Sequence, residues 1–379
     1  MNEFHPNELD PYLLFDARDS MIGTLENPTL DLDPSKPDTL NVITATRSGT
    51  ATYTDVNGNI ATAAADTVRV DYVDSVPMIL VEPSSENLLP YSEDFSQSVW
   101  FKNYVTLTDD YGIAPDGAKT STRIQYTGGS SYIAESVTPA TYTASAFVKG
   151  VSGEVVKFGV GANIGQGVEF TLNGQWQRIE HTGTGGTIFF SALGGNTATD
   201  FEIWGAQLET GSVATSYIPT SGGDAAARTR AADDLVISGS DFTDFYNQSE
   251  GTFYVELESK ESAGASPHYM DVSDVSGSNR LTLYVSGSNR LFVRANGSLS
   301  VNNLHIGDYT QNAIQRIACS YKLNDFRGST DGSGETTDTS SPVPVNLISL
   351  SLGQRFTNTY HLNGHIKRLI YWPYHSDSL

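Results

Sequence analysis

The stretch SGSNRLTLYVSGSNRLFVRANG, residues 276–297, contains the string SGSNRL twice, ten residues apart. Two copies do not make a solenoid, which needs about three units, and SGSN lacks the aspartates of a calcium repeat. Apolar and polar residues alternate after the first copy, which puts Leu281, Leu283 and Val285 on one predicted face. With residues 286–289 as a four-residue connection, the stretch predicts a β-hairpin with one buried face and one polar face.

The polar face of this hairpin is the first candidate site. We expect it to carry three arginines and two aromatic residues: Arg280, Arg290, Arg294, Tyr284 and Phe292. One interpretation is that this face packs against the other sandwich or another subunit, because arginine is enriched in interfaces. The other is a contact surface for an acidic glycan, in which rings stack on sugars and guanidinium groups bind carboxylates.

The rest of the chain repeats the strand pattern. Short alternating or apolar runs such as TYTASAFVKG, TFYVELES and HIKRLIYW recur every 8–12 residues, each ending at Gly, Asn or Ser. This spacing predicts an all-β protein of two antiparallel β-sandwiches (jelly rolls) with an acidic, partly extended N-terminal arm. The predicted sections are residues 1–85, 86–222 and 223–379, and a Pro, Ser and Gly cluster marks the second boundary.

Composition excludes several function classes. The chain has 379 residues and a formal net charge of −22, which is the wrong sign for general nucleic-acid binding. The beginning, MNEFHPNELD, has no basic or apolar region of a secretory signal. No apolar run approaches the ~20 residues of a membrane span, so we expect synthesis in the cytoplasm and no membrane insertion. The single cysteine, Cys319, is predicted to be a small buried side chain.

Motifs for catalysis, metals or cofactors are absent or weak. The chain contains neither a phosphate loop nor a G-x-S-x-G nucleophile elbow. His361 and His365 in HLNGH have a zinc-like spacing, but two surface histidines beside a turn is the preferred interpretation. Residues 55–60 and 331–338 resemble parts of calcium-binding loops. The preferred interpretation of 55–60 is a simple turn, and that of 331–338 is a flexible acidic loop. A carboxylate pair for glycoside cleavage cannot be chosen from the sequence, and no cofactor is expected.

Aromatic residues supply the remaining candidates for ligand binding. In the first sandwich these are Trp100, Tyr104, Tyr132 and Trp176. Core packing is the preferred interpretation for Trp100 and Trp176, because large aromatic residues commonly close the ends of sandwiches. Trp204, in FEIWGAQLE, is expected to be structural.

Longer segments resemble a known family. SENLLPYSEDFSQSVWFK (85–102), TYTASAFVKG (141–150) and FEIWGAQLETGSVATSYIPTSG (201–222) resemble a jelly-roll module of bacteriophage fibre and head-spike proteins, which is similar to carbohydrate-binding, galactose-binding-like domains. Residues 45–72 resemble the segment that precedes this module. Residues 316–344 and 362–373 resemble the laminin-G-like, concanavalin A-type sandwich that often follows it.

The resemblance implies a non-enzymatic virion structural protein, a head spike or fibre or a tail fibre, that displays glycan-binding-like sandwiches for host attachment. A capsid-decorating protein without receptor binding and a glycan depolymerase are the alternatives. Residues 1–40 carry nine acidic and two basic side chains. We predict that this arm docks the protein to capsid or tail proteins and that a variant lacking it still folds. A homo-oligomer, plausibly a trimer, is expected for a fibre.

Overall fold

The computed structural model describes residues 25–221, 228–274, 276–287, 289–296 and 299–379; the side chains of 228, 289–296 and 299–302 lie outside this description. About half of the chain is strand and 3% is helix. The strand pairings are antiparallel throughout the described residues. The predicted all-β sandwich class is therefore confirmed.

The chain forms two compact units, and each is discontinuous in sequence. Unit 1 comprises the chain up to Arg47, then Asp66–Pro83 and Ala232–Leu379; unit 2 comprises Ser48–Ala65 and Ser84–Ala231. The predicted section 1–85 is thus divided between the two units. The division arises because strands in this section pair with strands far along the chain, a long-range choice that local patterns do not show.

The first sheet of unit 1 has two long strands at its centre. Its strands, in spatial order, are β25 (Thr336–Asp338), β24 (Asp325–Thr330), β23 (Gln315–Lys322), β18 (Glu250–Ser259), β27 (Gly364–Trp372), β6 (Val76–Val81) and β5 (Arg69–Val73). Strand β1 (Leu30–Leu32) pairs with the C-terminal half of β27, while β6 pairs with its N-terminal end.

The second sheet of unit 1 packs against the first. Its strands, in spatial order, are β2 (Thr44–Thr46), β17 (Asp234–Ser238), β26 (Ser349–Leu352), β19 (His268–Ser273), β20 (Asn279–Ser286), β21 (Asn289–Asn296) and β22 (Leu299–Asp308). The helical segments of unit 1 are short: α1 (Ser240–Thr243) and 3-10 turns at Pro37–Leu40 and Ala263–Ala265. The core between the sheets is apolar and includes Cys319, which is buried as predicted.

The hairpin predicted from the SGSNRL repeat is present. Strands β20 and β21 pair along their whole length and meet at a two-residue turn, with Gly287 at φ 59°. Leu281, Leu283 and Val285 are fully buried in the core of unit 1. The prediction of a hairpin with one buried face is confirmed.

The register of the hairpin is defined by its backbone pairing. Phe292 lies opposite Leu283 and Arg294 opposite Leu281, whereas Tyr284 lies opposite Leu291. The side chains of Arg290, Phe292 and Arg294 lie outside the described residues, so their place on the predicted polar face stays a prediction.

Unit 2 is a sandwich built on two long strands. The strands of its main sheet, in spatial order, are β13 (Val168–Thr171), β12 (Val155–Gly161), β14 (Gln177–Ser191), β11 (Tyr132–Gly150), β15 (Asp200–Thr210), β10 (Thr122–Tyr126) and β9 (Val105–Thr108). The pairing of β11 with β14 is irregular between Ser136 and Ala140, which bends the sheet. Consequently β8 (Phe101–Asn103) pairs with the first part of β11 and β15 with the second.

Two small ladders complete unit 2. One is β7 (Ser85–Asn87) with β16 (Arg228–Arg230); the other is the hairpin of β3 (Ala51–Thr54) and β4 (Ile60–Ala63). The calcium-like segment 55–60 forms the turn of this hairpin. There the Asp55 carboxylate accepts hydrogen bonds from the backbone N–H groups of Asn57 and Asn59, each at 2.8 Å. Across the described residues, none of the helices has the length and apolar character needed to cross a membrane.

The end of the predicted N-terminal arm belongs to unit 1. Leu32 is fully buried, and Leu30 and Leu40 are nearly so. Asp31 forms a bidentate ion pair with Arg368 of β27, at 2.9 and 2.7 Å. The expectation that a variant lacking residues 1–40 still folds is therefore wrong, because that deletion removes a strand and core leucines. Residues 1–24 of the arm lie outside the described residues.

A buried network of charged side chains joins the three segments of unit 1. Arg69 binds Glu82 at 2.7 Å and also binds Asp233; Arg47 binds the other oxygen of Asp233 at 2.8 Å. Asp233 in addition accepts a hydrogen bond from the backbone N–H of Glu82, at 2.9 Å. All four residues are at most 3% exposed. Two guanidinium groups and two carboxylates make the network neutral, which is the condition under which ions are tolerated in a core.

We expect Asp233→Asn to destabilise unit 1 by about 3–5 kcal/mol, because it leaves buried positive charge without a partner. The matched control is Asp31→Asn in the same unit, whose pair with Arg368 is half-exposed and whose loss should cost at most about 1 kcal/mol. Urea unfolding followed by hydrogen exchange of unit 1 peptides measures both variants. Equal effects of the two substitutions would contradict the role of the network.

Candidate functional site

An exposed pair of aromatic rings lies on the surface of unit 2. Phe101 of β8 and Tyr132 of β11 stack with their ring centroids 5.7 Å apart and an interplanar angle of 21°. Tyr132 lies opposite Asn103 and Phe101 opposite Ala134, so the two rings are diagonal neighbours on one face of the ladder. Phe101 is 59% exposed, and the pair offers a flat apolar surface to solvent.

Tyr104 follows β8 in sequence and has an unusual backbone conformation. It is 63% exposed and has φ 51°, a left-handed conformation that costs a non-glycine residue roughly 1–2 kcal/mol. Its carbonyl oxygen accepts hydrogen bonds from Thr127 N and Oγ1, both at 2.9 Å, and from Ser131 Oγ at 2.6 Å. These bonds fix the backbone, and the ring lies over Gly128, where an added Cβ atom would be 3.5 Å from the Tyr104 Cγ. We call Phe101, Tyr104 and Tyr132 the aromatic surface.

The other predicted rings of unit 2 have structural contacts. Trp100 is 1% exposed, and its Nε1 donates to the carbonyl oxygen of Tyr91 at 3.0 Å. Trp176 is half-buried and donates to the carbonyl oxygen of Ile113 at 2.9 Å. Trp204 is buried against Tyr217, as expected. Phe101 is not among the residues predicted from the sequence. Alternation along the strand could have identified it, because its neighbour Trp100 is buried.

In unit 1 a polar cluster lies on the face of β19 and β20 that points away from the core. The register places Asp271 opposite Thr282, and His268 opposite Tyr284. The His268 ring stacks on Tyr284, with centroids 4.8 Å apart, and on Tyr360, at 5.4 Å. Of the predicted polar face, Arg280 and Tyr284 are thus brought together here.

Residues 353–361 cover part of this face. Tyr360 is 49% exposed and has φ 55°, and its carbonyl oxygen accepts the His268 N–H at 2.8 Å. Phe356 packs against Gly277, where a Cβ atom would collide with the ring. The Arg355 guanidinium lies 5.1 Å from the centroid of the Phe356 ring. We call His268, Asp271, Arg280, Thr282, Tyr284, Arg355 and Tyr360 the arginine cluster.

Two buried nitrogen atoms of the arginine cluster lack partners. Asp271 is fully buried, and its carboxylate interacts with the Thr282 hydroxyl and with the backbone N–H of Phe356. Within the described chain, Nε of Arg280 and Nε of Arg355 are buried without a hydrogen-bond partner. Burial raises the pKa of Asp271 to about 6, although the charge of Arg280 acts in the opposite direction. Burial lowers the pKa of His268 to about 4, so this ring is neutral at pH 7.

The histidine pair of HLNGH does not form a metal site. His365 lies in β27 and is 3% exposed, so its prediction as a surface residue is wrong. Its Nε2 contacts Asp71 at 2.9 Å and its Nδ1 contacts Glu258 at 2.7 Å. His361 Nε2 bonds to Asn358 at 2.7 Å. Both ring nitrogens of His365 are therefore occupied by carboxylates, which leaves neither for a metal.

A second group of metal-ligand types occurs in unit 1, near the C-terminal end of the chain. The ligand atoms of Asp325, His375 and Asp377 all lie within 4.8 Å of one another. Both carboxylates already pair with cations: Asp325 with Arg327 at 2.8 Å and Asp377 with Lys322 at 3.1 Å. These ion pairs account for the cluster without a metal.

In the predicted acidic loop 331–338, the Asp331 carboxylate accepts a hydrogen bond from the backbone N–H of Arg316 at 2.9 Å.

No family model matches this chain, and no curated protein matches it. Among solved structures it is similar to the Ruminococcus gnavus IT-sialidase CBM40, at 14% identity over 35% of this chain and 78% of that one, with a TM-score of 0.29. It is also similar to the LG1-3 region of the laminin alpha2 chain, at 13% identity over 63% of this chain and 63% of that one, with a TM-score of 0.28. A third similar structure is mouse laminin alpha1 LG4-5, at 8% identity over 82% of this chain and 92% of that one, with a TM-score of 0.26. The likeness concerns the sandwich fold and assigns no ligand. The bacteriophage resemblance stays a prediction.

We expect the contribution of His365 to stability to depend on pH. Burial disfavours its charged form, but hydrogen bonds to Asp71 and Glu258 outweigh burial, so the pKa of His365 lies above its ordinary value. The folded state then binds the proton more tightly, and the stabilisation is complete below about pH 6.5 and is lost as pH rises through the folded pKa. The difference in unfolding free energy between the wild type and His365→Gln should therefore shrink from pH 5.5 to pH 9. Asp71→Asn should weaken this dependence while keeping the imidazole, and a difference that is constant with pH would contradict the assignment.

Proposed function

We propose that this chain is a non-enzymatic structural protein of a bacteriophage virion, a head spike or fibre or a tail fibre. In this proposal the aromatic surface of unit 2 attaches the particle to glycans on the host surface. The sequence resemblance of residues 85–102 and 201–222 supports the virion assignment. The exposed rings support the glycan assignment, because aromatic rings stack on the apolar faces of sugars and present a polar edge to their hydroxyl groups.

The observation that carries the glycan proposal is the conformation of Tyr104. Asparagine and glycine adopt the left-handed region more easily than tyrosine does, so a tyrosine here is less stable than the alternatives. The ring is exposed and therefore gains little from burial in the isolated chain. A solvent-facing ring on a fixed backbone, one residue after the strand that carries Phe101, suits a ligand that stacks on aromatic rings. Ring positions set before binding reduce the entropy lost when the sugar binds.

Weak single sites suit a protein displayed in many copies. Each stacked ring contributes roughly 0.5–1.5 kcal/mol beyond burial of its area, so one aromatic surface alone gives a modest affinity. Many copies on one particle raise the effective concentration of the remaining sites after the first contact. Attachment is then firm at the level of the virion.

The proposal that the chain is not an enzyme rests on the composition of this surface. Glycoside cleavage uses two carboxyl groups that flank the bond, roughly 5–9.5 Å apart. Burial raises the pKa of Glu135 to about 7, which would suit a general acid. However, Glu135 occupies an odd position of β11 and Tyr132 an even one, so the carboxyl lies on the opposite face of the strand from the rings.

We expect Tyr104→Asn to weaken binding of host capsular or lipopolysaccharide glycans at least about fivefold, from the loss of one stacked ring. The melting temperature should stay equal or rise, because the left-handed strain is relieved. Binding of the purified chain to immobilised glycans and differential scanning calorimetry measure the two effects. Tyr111→Asn, which removes another exposed tyrosine of unit 2, is the matched control and should bind normally.

The same experiment distinguishes the alternatives. Unchanged glycan binding by Tyr104→Asn and by Phe101→Ala/Tyr132→Ala would overturn the aromatic surface as the site. A wild-type chain that binds no glycan but is present on virions would favour the capsid-decorating protein. Glycans that become shorter during incubation, in a manner abolished by one Asp or Glu substitution, would establish the depolymerase.

We also propose that residues 1–24 contain the part of the arm that docks to capsid or tail proteins. A variant lacking these residues keeps Leu30, Leu32 and Leu40, and we expect it to fold but to be missing from virions. Phage that lack the wild-type gene would be complemented with the variant or with the full chain as the control. Normal incorporation of the variant would exclude this segment.

A further inference from the structure

The arginines of the arginine cluster differ from most others in the described chain. Ion pairs with carboxylates are formed by Arg47, Arg69, Arg123, Arg178, Arg316, Arg327 and Arg368. Within the described residues, Arg280 and Arg355 have no carboxylate within 4.0 Å and no hydrogen-bonded acceptor. Since acidic side chains outnumber basic ones by 44 to 22, two unpaired guanidinium groups in one place are unusual.

The two arginines act on the same small region. Both lie close enough to Asp271 and to His268 to lower the pKa of each group electrostatically. His268 is neutral at pH 7, so two positive charges face the single negative charge of Asp271. The cluster therefore carries a local positive charge on a chain whose net charge is −22. One bound monoanion would make this region neutral.

Each of these guanidinium groups has a buried Nε atom and Nη atoms that are open to solvent. The Nε atoms are buried, whereas both residues are partly exposed. The Nη atoms also have no hydrogen-bonded acceptor in the described chain, but they are not buried, so they reach solvent. Guanidinium groups held by their stems in this way present a planar edge to a carboxylate, which can accept two parallel hydrogen bonds from it.

The surroundings of the arginines indicate an anionic ligand that also has an apolar face. Nε of Arg280 and Nε of Arg355 are buried without a hydrogen-bond partner in the described chain, and a buried polar group without a partner is unusual enough to require an explanation. Tyr360 is exposed and left-handed, as Tyr104 is in unit 2, and stacks through His268 on Tyr284. A metal ion does not fit, because the guanidinium groups repel it.

We infer that the arginine cluster of unit 1 binds the carboxylate of an acidic saccharide, with Arg280 and Arg355 holding the anion and Tyr360 contacting the sugar ring. This site is separate in sequence and in chemistry from the aromatic surface, and it does not rest on the function proposed for unit 2. It makes the chain a binder of two kinds of saccharide group, one recognised by stacking and the other by charge.

The test compares two ligands that differ only in charge. Tetragalacturonate carries carboxylates, and its fully methyl-esterified form has the same sugar rings without them. We expect the full chain to bind the acid at least about tenfold more tightly than the ester in isothermal titration calorimetry. The affinity should fall as salt is raised from 20 to 300 mM, because charge pairs at a surface are screened. A sulfated saccharide of the same length shows whether any anion suffices, and stronger binding of sulfate than of carboxylate would overturn the carboxylate assignment.

The variant Arg280→Gln/Arg355→Gln should lose the preference for the acid. Arg316→Gln, which removes an arginine from the other sheet of unit 1, is the matched control and should keep it. If the double variant melts early, Arg280→Lys/Arg355→Lys keeps the charge and should bind the acid with reduced affinity. Tyr104→Asn should leave acid binding unchanged, which separates failure of this site from failure of the aromatic surface.

Two further outcomes would overturn the inference. One is a wild-type chain that binds acid and ester equally or not at all. The other is a double variant that keeps the acid preference. If the double variant instead changes the oligomeric mass in sedimentation while the wild type ignores the acid, the cluster is an interface between copies of this chain, and the saccharide site is rejected.

Discussion

The fold of unit 1 depends on the buried network of Arg47, Arg69, Glu82 and Asp233. Three of these residues lie near the end of a segment: Arg47 is the last residue before the chain leaves unit 1, Glu82 is next to the last of the middle segment, and Asp233 is the second after the return. The three segments of unit 1 are connected in sequence only through unit 2, so strand pairing and side-chain contacts together set their alignment. A misaligned segment would leave a desolvated charge unpaired, at a cost of several kcal/mol. Apolar contacts alone would discriminate less sharply, because they are not directional.

The two units fix an exposed aromatic side chain by the same physical means. Tyr104 and Tyr360 both have left-handed backbones, and in both the carbonyl oxygen accepts hydrogen bonds from a neighbouring segment. The rings also have neighbours: Tyr104 lies over Gly128, and Tyr360 packs on His268. Strained backbone held by surrounding structure is typical of binding sites, and it gives both surfaces rings whose positions are set before a ligand arrives.

The arginine cluster and the aromatic surface differ in charge. Most described arginines are neutralised by the abundant acidic residues, so the positive charge of the arginine cluster is local and short-ranged in a negative field. Such a field repels polyanions at a distance but permits a short acidic group to bind in contact, since screening limits the range to about 10 Å. The aromatic surface has no such requirement and is suited to neutral sugars.

Part of the site could be predicted from the sequence. Tyr104, Tyr132, Arg280 and Tyr284 follow from residue type and strand alternation, and all four lie on the surfaces described. Phe101 was hidden next to Trp100, and Tyr360 and Arg355 come from a loop without any motif. Asp271 gains its significance only from burial beneath that loop, which a local pattern cannot show.

The sequence by itself determined the all-β class, the hairpin of the repeated string and the burial of Leu281, Leu283 and Val285, because alternation with period two is a local property of a strand. The tertiary structure alone decided the discontinuous units, the pairing of the N-terminal strands β1 and β2 with distant strands, and the burial of His365 between Asp71 and Glu258. The physical reason is that register and coverage depend on pairings between residues far apart in the chain. A shift of one residue in such a pairing exchanges the two faces of a strand without changing its local pattern.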